Sequence, residues 1–501
     1  MSDVPVVIVG GGTVGLSTAV FLGHHGVRSL VLERRKAPSA HPRALGVSPR
    51  TFEFFREAGL HEEVNAATVT STALWKANAR TVAEIDHSRA PAPSTAESAV
   101  SPENPRGHCP QDRLDAVLLP AARERGATVE FGAEVTAVDQ DADGVTVTLA
   151  DGRAIRAAYL VGADGVNTKV RHALGIGTSG PGEVGGTTMN ILFAADLVGH
   201  FGSMPTMVEV RHPDASGMLL AVGEGRWVLH VPLPDGEEPT AERCLAWIRT
   251  AIGADVPVEV LNAMPWRATM RMATEFRRGR AFLVGDAARA ITPLGALGLN
   301  TGVADAHNLA WKLAMVLAGT AGDGLLDTYH DERHAVAELV TRQAELRWEN
   351  PPLHWDPAAA AGRAAVGMWH QPMVLMGYRY DSSAVVDPVT VVPSTEDVAV
   401  SLNGDAGSRL PHRWIAPGKS TVDLIGPGFA VLTGPGGEAW CEAARKNGLR
   451  ATRLDADWAA SVTLADDGAL LVRPDGFIAW RTETAADPAL LGKILAMVTS
   501  R

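Results

Sequence analysis

Residues 4–33, VPVVIVGGGTVGLSTAVFLGHHGVRSLVLE, decide the fold of the first part of the chain. An apolar run, VPVVIVG, is followed by a glycine-rich turn, a helix-like segment and a second apolar run, VRSLVLE. This order is typical of a strand, a helix and a second strand parallel to the first. The stretch therefore predicts an α/β fold that begins with a βαβ unit.

The turn of this unit carries the pattern Gly10-x-Gly12-x-x-Gly15. The first glycine permits a tight turn, the second lets a pyrophosphate approach the backbone, and the third lets helix and strand pack closely. The amino terminus of the helix offers N–H groups and the positive end of a dipole to phosphate oxygens. Glu33, at the end of the second strand, is placed to accept hydrogen bonds from a ribose hydroxyl. We predict an adenine dinucleotide site here, and these residues leave open which dinucleotide it binds.

A second acidic turn lies in residues 159–171, YLVGADGVNTKVR. A strand-like run ends at Asp164-Gly165, and a basic helix start follows. Taken alone, this stretch is equally compatible with an ordinary Asp-Gly turn and with a ligand-binding turn.

The third stretch, residues 285–313, reads GDAARAITPLGALGLNTGVADAHNLAWKL and follows the apolar run AFLV. Asp286 can accept hydrogen bonds from a sugar-alcohol chain. Pro293 and Gly298 help to shape a loop with exposed N–H groups, and Thr301 is predicted to cap the helix that follows. The positive end of that helix would stabilise an isoalloxazine ring that becomes negative on reduction. A nicotinamide cofactor has no ribityl chain, so Glu33 and Asp286 together predict FAD.

The composition excludes several classes of protein. The formal net charge of −12 argues against a nucleic acid or an anionic membrane as partner, because both would repel such a surface. No apolar run approaches the ~20 residues that span a bilayer. The amino terminus has no basic region and cleavage site, so we expect a cytoplasmic protein. The three cysteines predict neither a disulfide framework nor a thiol metal site.

The three motifs, in this order, resemble those of the single-component FAD-dependent aromatic hydroxylases, the superfamily of para-hydroxybenzoate hydroxylase and phenol hydroxylase. The likeness covers roughly the first 380 residues. The tail, most clearly LVRPDGFIAWR, resembles the thioredoxin-like carboxy-terminal domain of phenol hydroxylase and of hydroxylases from aromatic polyketide pathways. It lacks Cys-x-x-Cys, which favours a structural or assembly role. Together with MGYRYDSSAVV, this tail favours the polyketide-tailoring branch.

The element pattern and this resemblance predict the domain organisation. Residues 1–180 and 271–385 would form a discontinuous Rossmann-like FAD-binding domain of the GR2 type. Residues 181–270 would form an inserted β-sheet domain for the substrate, with part of 70–107 contributing to the substrate side. Residues 386–501 would form the thioredoxin-like domain.

The resemblance also implies roles for individual residues. Arg43 would contact the pyrophosphate, Gln111 the phosphate–ribityl region and Val135 the adenine, while Leu299 and Asn300 would contact the isoalloxazine through backbone atoms. The predicted cofactor-binding residues are Gly10, Gly12, Thr13, Val14, Gly15, Glu33, Arg34, Arg43, Gln111, Val135, Asp164, Asp286, Pro293, Gly298, Leu299 and Asn300.

The sequence departs from the family pattern at two positions. Arg289 stands where the family usually has histidine, and Ala296 stands where it usually has a second glycine beside the pyrimidine edge of the flavin. Either departure could alter the mobility of the flavin or the charge of the active site, but neither removes a backbone donor.

No residue is assigned an obligatory acid–base role, because the family often uses the phenolate of the substrate itself. The candidates for a catalytic role are Arg211, Trp266, Arg267 and Pro293; for the arginines, the alternative is an ordinary surface cation. Four apolar residues are compatible with either the core or a pocket for a large planar substrate: Met368, Trp369, Met373 and Met376.

Two further features of the sequence do not predict a functional site. His330 and His334 are four residues apart, as metal ligands on a helix can be, but no third ligand is evident. We interpret their segment as a solvated helix and predict no metal. Cys109 is interpreted as a small buried residue.

The resemblance implies a monooxygenase that hydroxylates an electron-rich polycyclic aromatic compound, such as a polyketide intermediate, through a flavin C4a-hydroperoxide. NADPH or NADH would reduce the FAD transiently, O2 would be the co-substrate, and the protein would be a monomer or homodimer. Two alternatives stay open: Baeyer–Villiger oxygen insertion into a polyketide ketone, and a non-oxygenating flavin dehydrogenase or assembly protein. The sequence decides neither the substrate and regiochemistry nor the preferred nicotinamide nucleotide.

Overall fold

The structure is a computed structural model that describes residues 4–39, 41, 44–70, 73–91, 98–105, 107–234, 237, 239–484 and 487–501. The strands are β1 (Val4–Val9), β2 (Ser29–Glu33), β3 (Ala73–Ala79), β4 (Ala127–Phe131), β5 (Val135–Gln140), β6 (Val145–Leu149), β7 (Ala154–Gly162), β8 (Thr178–Ala194), β9 (Pro205–Val210), β10 (Gly217–Gly223), β11 (Arg226–Leu233), β12 (Glu259–Ala273), β13 (Arg277–Arg278), β14 (Ala281–Leu283), β15 (Arg289–Ala290), β16 (Trp414–Ala416), β17 (Lys419–Ser420), β18 (Ala430–Thr433), β19 (Arg450–Arg453), β20 (Ala469–Val472) and β21 (Ile478–Thr482). The α-helices are α1 (Thr13–His24), α2 (Pro49–Glu57), α3 (His61–Ala66), α4 (Gln111–Glu124), α5 (Lys169–Ala173), α6 (Leu197–Phe201), α7 (Ala241–Ile252), α8 (Leu297–Leu317), α9 (Gly324–Glu349), α10 (Pro351–Trp355), α11 (Ala360–Val366), α12 (Gln371–Met376), α13 (Val398–Ser401), α14 (Glu438–Lys446), α15 (Ala456–Ser461) and α16 (Leu490–Val498).

The first sheet has the strand order β13-β14-β7-β1-β2-β4, and β5 and β6 extend it as a meander onto β7. β1 is parallel to both β2 and β7. Residues 6–9 are almost completely buried, as expected for a parallel strand covered on both faces. The predicted βαβ unit is confirmed, and the meander turns tightly at Asp151-Gly152.

The second sheet has the order β15-β12-β8-β11-β10-β9-β3. Helix α7 covers one face of it, where Trp247 and Ile248 belong to the same core as Ile191, Phe193 and Leu229. β3 pairs with β9, so the segment 70–107 does supply a strand to this sheet; residues 71–72, 92–97 and 106 lie outside the described residues. The domain boundaries at 180/181 and 270/271 stay a prediction, because β8 and β12 run across those positions without a break.

The third unit is a four-stranded sheet of order β19-β18-β20-β21, with helices α14, α15 and α16. Along the chain, its elements are strand β18, helix α14, strand β19, helix α15, the hairpin of β20 and β21, and helix α16. The overall α/β architecture is therefore the predicted one: a Rossmann-like unit, an inserted sheet and a small carboxy-terminal α/β unit.

Helix α8 begins earlier than the sequence indicated. Its first residue is Leu297, and the preceding Ala296 has left-handed backbone angles (φ +52°). The predicted cap by Thr301 is wrong: this residue lies in the helix, and its hydroxyl donates to the Leu297 carbonyl at 2.7 Å. The left-handed Ala296 sets the start of the helix without any side-chain cap. A pattern of residue types does not show where such a backbone conformation occurs.

Helix α9 is also different from its prediction. Its charged composition indicated a solvated helix, but Glu332 and Arg333 are buried, as is Arg347 near its end. Glu332 and Arg333 are stabilised by ionic partners far away in the sequence, so the composition of the helix alone was misleading. In the described part of the chain, no helix is both long enough and apolar enough to cross a membrane.

Candidate functional site

The glycine-rich turn is shaped by close packing. A Cβ atom on Gly10 would lie 2.3 Å from the Ala163 carbonyl oxygen, and one on Gly15 would lie 1.9 Å from the Gly10 carbonyl oxygen. A Cβ on Gly12 would have no neighbour within 4 Å, and α1 begins there without a side-chain cap. The turn thus has open space directly over unpaired helix N–H groups, which fits a pyrophosphate.

Glu33 is fixed at the end of β2. Its carboxylate accepts hydrogen bonds from the backbone N–H of Gly11 at 2.7 Å and of Arg35 at 2.9 Å. A carboxylate has about four acceptor positions, so a ribose hydroxyl can still donate to it. Arg34 beside it is exposed.

Asp115 on α4 is a residue of this turn that the sequence analysis missed. It is buried, and it accepts a hydrogen bond from the hydroxyl of Thr13, the first residue of α1. Burial raises the pKa of Asp115 to about 7. The only available signal was its position four residues after Gln111 in CPQDRLD, which places both residues in the first turns of one helix.

Three other residues are predicted to contact the cofactor. Gln111 opens α4, and its N–H donates to the Ala44 carbonyl at 2.9 Å, which brings the loop around Ala44 to the start of α4. Val135 is buried at the start of β5. Arg43 lies outside the described residues.

The two carboxylate oxygens of Asp164 differ in their hydrogen bonding. Its Oδ2 accepts hydrogen bonds from the N–H groups of Lys169 at 2.7 Å and Val170 at 3.1 Å, so it stabilises the start of α5. Its Oδ1 is buried and has no hydrogen-bond partner among the described residues. A buried acceptor without a donor is unusual in a protein, and it suits a ligand that donates a hydrogen bond there.

The turn that carries Asp286 lies between α1 and α8. Gly285 lies under the Val14 side chain, and a Cβ on Gly302 would lie 2.8 Å from Val14 and 3.1 Å from Gly285. Asp286 itself is exposed at the tip of this short turn. The amino-terminal halves of both helices are therefore packed around one acidic turn.

Arg289, the first departure from the family pattern, does not face the open side of this turn. It is buried, and its Nη1 lies 2.6 Å from Asp305 Oδ2. The same carboxylate binds Arg333 Nε at 2.8 Å and accepts a hydrogen bond from the Gly285 N–H at 3.1 Å. The arginine thus supplies a buried counter-ion that supports the acidic turn from behind.

Asn300 connects α8 to the loop before α2. Its Nδ2 donates to the carbonyls of Gly46 at 3.1 Å and Ala296 at 2.7 Å. Its Oδ1 accepts from the Ser48 N–H at 2.8 Å and from the Thr51 hydroxyl at 2.7 Å. These bonds use the whole side chain, which leaves backbone atoms for a flavin, as the resemblance implies.

The loop ahead of α8 has an open outer side. Pro293 and Ala296 are exposed, Gly298 and Leu299 are half-buried, and α8 begins without a side-chain cap. Its first N–H groups form the positive end of the helix dipole, which faces this loop. The site therefore fits the negative edge of a reduced isoalloxazine.

The face of the second sheet opposite α7 meets this loop. Leu192, Val222 and Val228 pack together with Leu45, and the next residue, Gly46, lies against the Ala296 methyl group. This apolar face and the amino terminus of α8 are therefore joined by residues 44–46.

The same face carries a polar cluster. His41 Nε2 lies 3.0 Å from Asn190 Oδ1, and its Nδ1 lies 3.2 Å from the Asn262 amide nitrogen. Burial, and then the neighbouring His41, lower the pKa of His230 to about 4. The imidazole of His230 is therefore neutral at pH 7.

The structure brings two of the four catalytic candidates together. Trp266 and Arg267 line a cleft of about 360 Å³ together with Asn167 of the Asp-Gly segment. Neither Arg211 nor Pro293 is among the described residues that line it. Arg211 is exposed and pairs with Glu209 at 3.1 Å just beyond β9.

The remaining candidates have ordinary surroundings. Met373 and Met376 are buried against Val398 and Leu402, which favours the core interpretation. Met368 is also buried, and Trp369 packs at the edge of this core. Burial raises the pKa of Cys109 to about 12, as expected for an inert thiol.

The two histidines of α9 pack together, with ring centroids 4.9 Å apart. Among the residues that the structure describes, no three His, Cys, Asp or Glu side chains are grouped so as to hold a metal ion.

A glycine-rich turn, an acid at the second strand end, an acidic turn and a second uncapped helix together fit a protein that binds FAD. Comparison with known families agrees. Residues 3–344 match the family described as FAD binding domain, and residues 403–501 match the family described as aromatic-ring hydroxylase, C-terminal.

Individual proteins are similar over their whole lengths. Tetracenomycin B2 monooxygenase-dioxygenase of Streptomyces olivaceus is 37% identical, covering 100% of this chain and 99% of the relative. Aklavinone 12-hydroxylase RdmE of Streptomyces purpurascens is 38% identical, covering 97% of each chain. The crystal structure of a ternary complex of aklavinone-11 hydroxylase with FAD and aklavinone has a TM-score of 0.86 at 35% identity, with 100% of both chains covered.

The chain belongs to the FAD-dependent aromatic-ring hydroxylases and is a flavin monooxygenase. FAD is its cofactor, and a reduced nicotinamide nucleotide is the reductant typical of this family. The predictions of fold class, cofactor and enzyme class are confirmed. The contacts of individual residues with the cofactor stay a prediction.

Proposed function

We propose that this enzyme hydroxylates a polycyclic aromatic polyketide that carries a phenolic ring. The observation that carries the proposal is the sheet face formed by Leu192, Val222 and Val228, which meets the amino terminus of α8 through Leu45. A flat apolar surface beside the flavin suits a planar fused-ring compound, because its burial is favourable and needs few polar contacts. The relatives named for tetracenomycin and aklavinone chemistry support a substrate of this class.

The binding residues have distinct roles in this proposal. The amino terminus of α1 binds the pyrophosphate, Glu33 the ribose and Asp286 the ribityl chain, while the amino terminus of α8 faces the pyrimidine edge of the ring. Bound FAD supplies the activation of O2 for transfer of one oxygen atom. The protein itself orients the aromatic ring and excludes water.

The imidazole of His230 does not act as a general base at neutral pH. Burial holds the pKa of His230 near 4, far below that of a phenol, so proton transfer to it is unfavourable. The ring hydroxyl of the substrate must instead be partly ionised when it donates electrons. The amides of Asn190 and Asn262 orient polar substituents, because a primary amide offers both donors and acceptors.

The cleft lined by Trp266 and Arg267 is the proposed docking place of NADPH or NADH. It adjoins the Asp-Gly turn through Asn167, and Arg271 adds a cation to its wall. The Trp266 Nε1–H has no partner among the described residues, and its ring offers a stacking surface. Cations and an aromatic plane are the groups that recognise a dinucleotide phosphate and a flat base.

We further propose a cytoplasmic enzyme that is a monomer or a homodimer. Both co-substrates, the nicotinamide nucleotide that reduces the flavin and the O2 that reoxidises it, are available in the cytoplasm. Light scattering of the purified holoenzyme at several concentrations decides the oligomeric state.

The test measures NADPH and NADH oxidation by the FAD-loaded enzyme with polycyclic phenols, quinones and simple phenols. We expect one polycyclic class to stimulate oxidation strongly and to gain one oxygen atom, seen by product mass. Product connectivity distinguishes a new ring hydroxyl from a lactone, which would establish Baeyer–Villiger insertion instead. Rapid oxidation that no ligand changes, without an oxygenated product, would contradict the proposal.

A further inference from the structure

Arg347 is a buried cation with no acidic partner. It lies on the last turn of α9, and its side chain is 1% exposed. Its Nη1 donates to the backbone and side-chain oxygens of Gln343 at 2.9 and 3.0 Å, and its Nη2 donates to the Trp369 carbonyl at 2.6 Å. Among the described residues, no carboxylate lies within 4 Å of it. A buried charge held only by neutral acceptors is costly, so its retention calls for a reason.

The neighbouring charges make the isolation of Arg347 clearer. Arg363 has its own counter-ion, Glu396, at 2.8 Å. Burial, and then the positive charge of Arg363, lower the pKa of Arg347 to about 10, and the more distant carboxylate of Glu396 offsets them only in part. It therefore stays protonated at neutral pH, and its positive charge is not cancelled by a local pair.

Arg347 lies directly behind the loop that leads into α8. A Cβ on Gly295 would lie 3.1 Å from Arg347 Cδ and 3.3 Å from its Nε. That Nε is buried and has no hydrogen-bond partner among the described residues. Gln371 fixes the same loop, because its amide donates to the Gly295 carbonyl at 2.5 Å. The outer side of the loop, at Pro293 and Ala296, is exposed.

We propose that Arg347 is a positioning residue that raises the reduction potential of the bound flavin through Gly295. The inference rests on the flavin position given under the proposed function. Hydride transfer to the ring leaves a negative charge at its N1–C2=O edge, and a cation behind the receiving loop stabilises that charge. The dipole of α8 acts in the same direction, so the loop lies between two sources of positive potential.

Two variants test the proposal in different ways. Arg347→Gln removes the cation. Gln343→Glu keeps Arg347 but places a carboxylate where Gln343 Oε1 already accepts its hydrogen bond, so it neutralises the charge in the same shape. It also removes the Nε2–H that donates to the Gly367 carbonyl at 3.0 Å. Arg347→Lys should restore the charge. Arg342→Gln is the matched control, because this arginine is exposed on the same helix.

The readouts are FAD affinity, the reduction potential and the affinity for sulfite, an anion that adds to the oxidised ring and leaves negative charge on the same edge. We expect Arg347→Gln and Gln343→Glu to lower the equilibrium constant for reduction at least tenfold, about 30 mV for a two-electron couple. Sulfite should bind about tenfold more weakly by the same argument. Arg347→Lys and Arg342→Gln should resemble the wild type.

The outcomes separate this inference from the proposed function. If the wild-type protein binds no FAD, the flavin site itself is wrong. If FAD binds but Gln343→Glu leaves both the potential and the sulfite affinity unchanged, the electrostatic role of Arg347 is overturned, whatever Arg347→Gln does. If Arg347→Gln does not retain FAD, Gln343→Glu decides the question alone.

Discussion

Beneath the glycine-rich turn of residues 10–15, Asp115 and Thr13 form a contact that is expected to make stability depend on pH. The pKa of Asp115 is raised from its ordinary value of 3.8 to about 7, first of all by burial. The folded state therefore binds this proton more tightly than the unfolded state. The stability that the protonated group contributes is complete below about pH 4 and is lost as the pH rises through about 7.

Asp115→Asn is expected to remove this dependence, because a neutral amide keeps the shape but cannot ionise. At pH 8 the FAD-free variant should be more stable than the wild type by about 2 kcal/mol, after allowance for a weaker hydrogen bond from Thr13. At pH 5 the difference should be much smaller. Urea unfolding at both pH values measures it. Asp143→Asn, an exposed control, should change little at either pH, and an identical pH dependence in wild type and Asp115→Asn would exclude this role.

Ala296 has a left-handed backbone, which an L-residue adopts at a cost of roughly 1 kcal/mol. Glycine has no such cost, so Ala296→Gly should raise the free energy of unfolding by ~0.5 kcal/mol. Ala460→Gly, at an exposed position in α15, should have the opposite sign because glycine disfavours a helix. Thermal unfolding measures the change in stability of each variant. A loss of stability in Ala296→Gly would show that the contact of the Ala296 methyl group with Gly46 dominates.

At the scale of elements, the hairpin between β20 and β21 inserts charges into the contact with α8 and α9. Arg473 binds Glu332 and Asp475, and Lys312 reaches Glu332 at 2.7 Å, with all four side chains buried. Arg473 and Lys312 outweigh the effect of burial and lower the pKa of Glu332. Trp311 adds an indole N–H bond to Asp475 at 3.2 Å. The hairpin is thus fixed to the FAD-binding part by a satisfied ionic network.

Glu332→Gln should destabilise the protein by about 3–5 kcal/mol, because it leaves the buried Lys312 without a carboxylate and Arg473 with Asp475 alone. Glu438→Gln is the control: its pair with Arg453 is about half-exposed and should contribute less than ~1 kcal/mol. Urea unfolding of the two variants compares them. Equal effects would mean that the buried network adds no more stability than a surface ion pair.

At the scale of the whole molecule, the carboxy-terminal unit completes the core of the rest. Trp311 and Leu325 belong to one apolar cluster with Phe429, Val431 and Trp440. Arg50 of α2, in addition, donates to the Asp475 carbonyl at 2.9 Å. The thioredoxin-like unit, which has no cysteine pair, is therefore a structural part of the enzyme.

A chain that ends at residue 402 is expected not to give a soluble FAD-binding protein, because it exposes this apolar cluster and leaves Lys312 and Glu332 without Arg473. Solubility and the FAD content of the purified fragment measure the outcome, with the full chain carrying the same tag as control. A soluble fragment that retains FAD and melts at the wild-type temperature would show that the two parts are independent.

Local sequence patterns predicted most of the fold and the cofactor-binding part of the site. The glycines of residues 10–15 and the acids Glu33 and Asp286 have steric and hydrogen-bonding roles set within a few residues, so their spacing indicated FAD. The helix start at Ala296 and the buried part of α9 were not predictable in this way. A left-handed residue and a buried charge depend on neighbours that are distant in the chain.

The sequence by itself determined the βαβ unit, because this unit follows from contacts between residues close together in the chain. Glu33 and Asp286 predicted FAD, and the resemblance to a known family predicted the class of enzyme. Only the tertiary structure decided which charges are buried and what they pair with. Arg289 pairs with Asp305, 16 positions away, and Arg473 pairs with Glu332, 141 positions away. Arg347 lies behind Gly295, 52 positions away. The physical reason is that the energy of a charge depends on its burial and its partners, and folding alone fixes both.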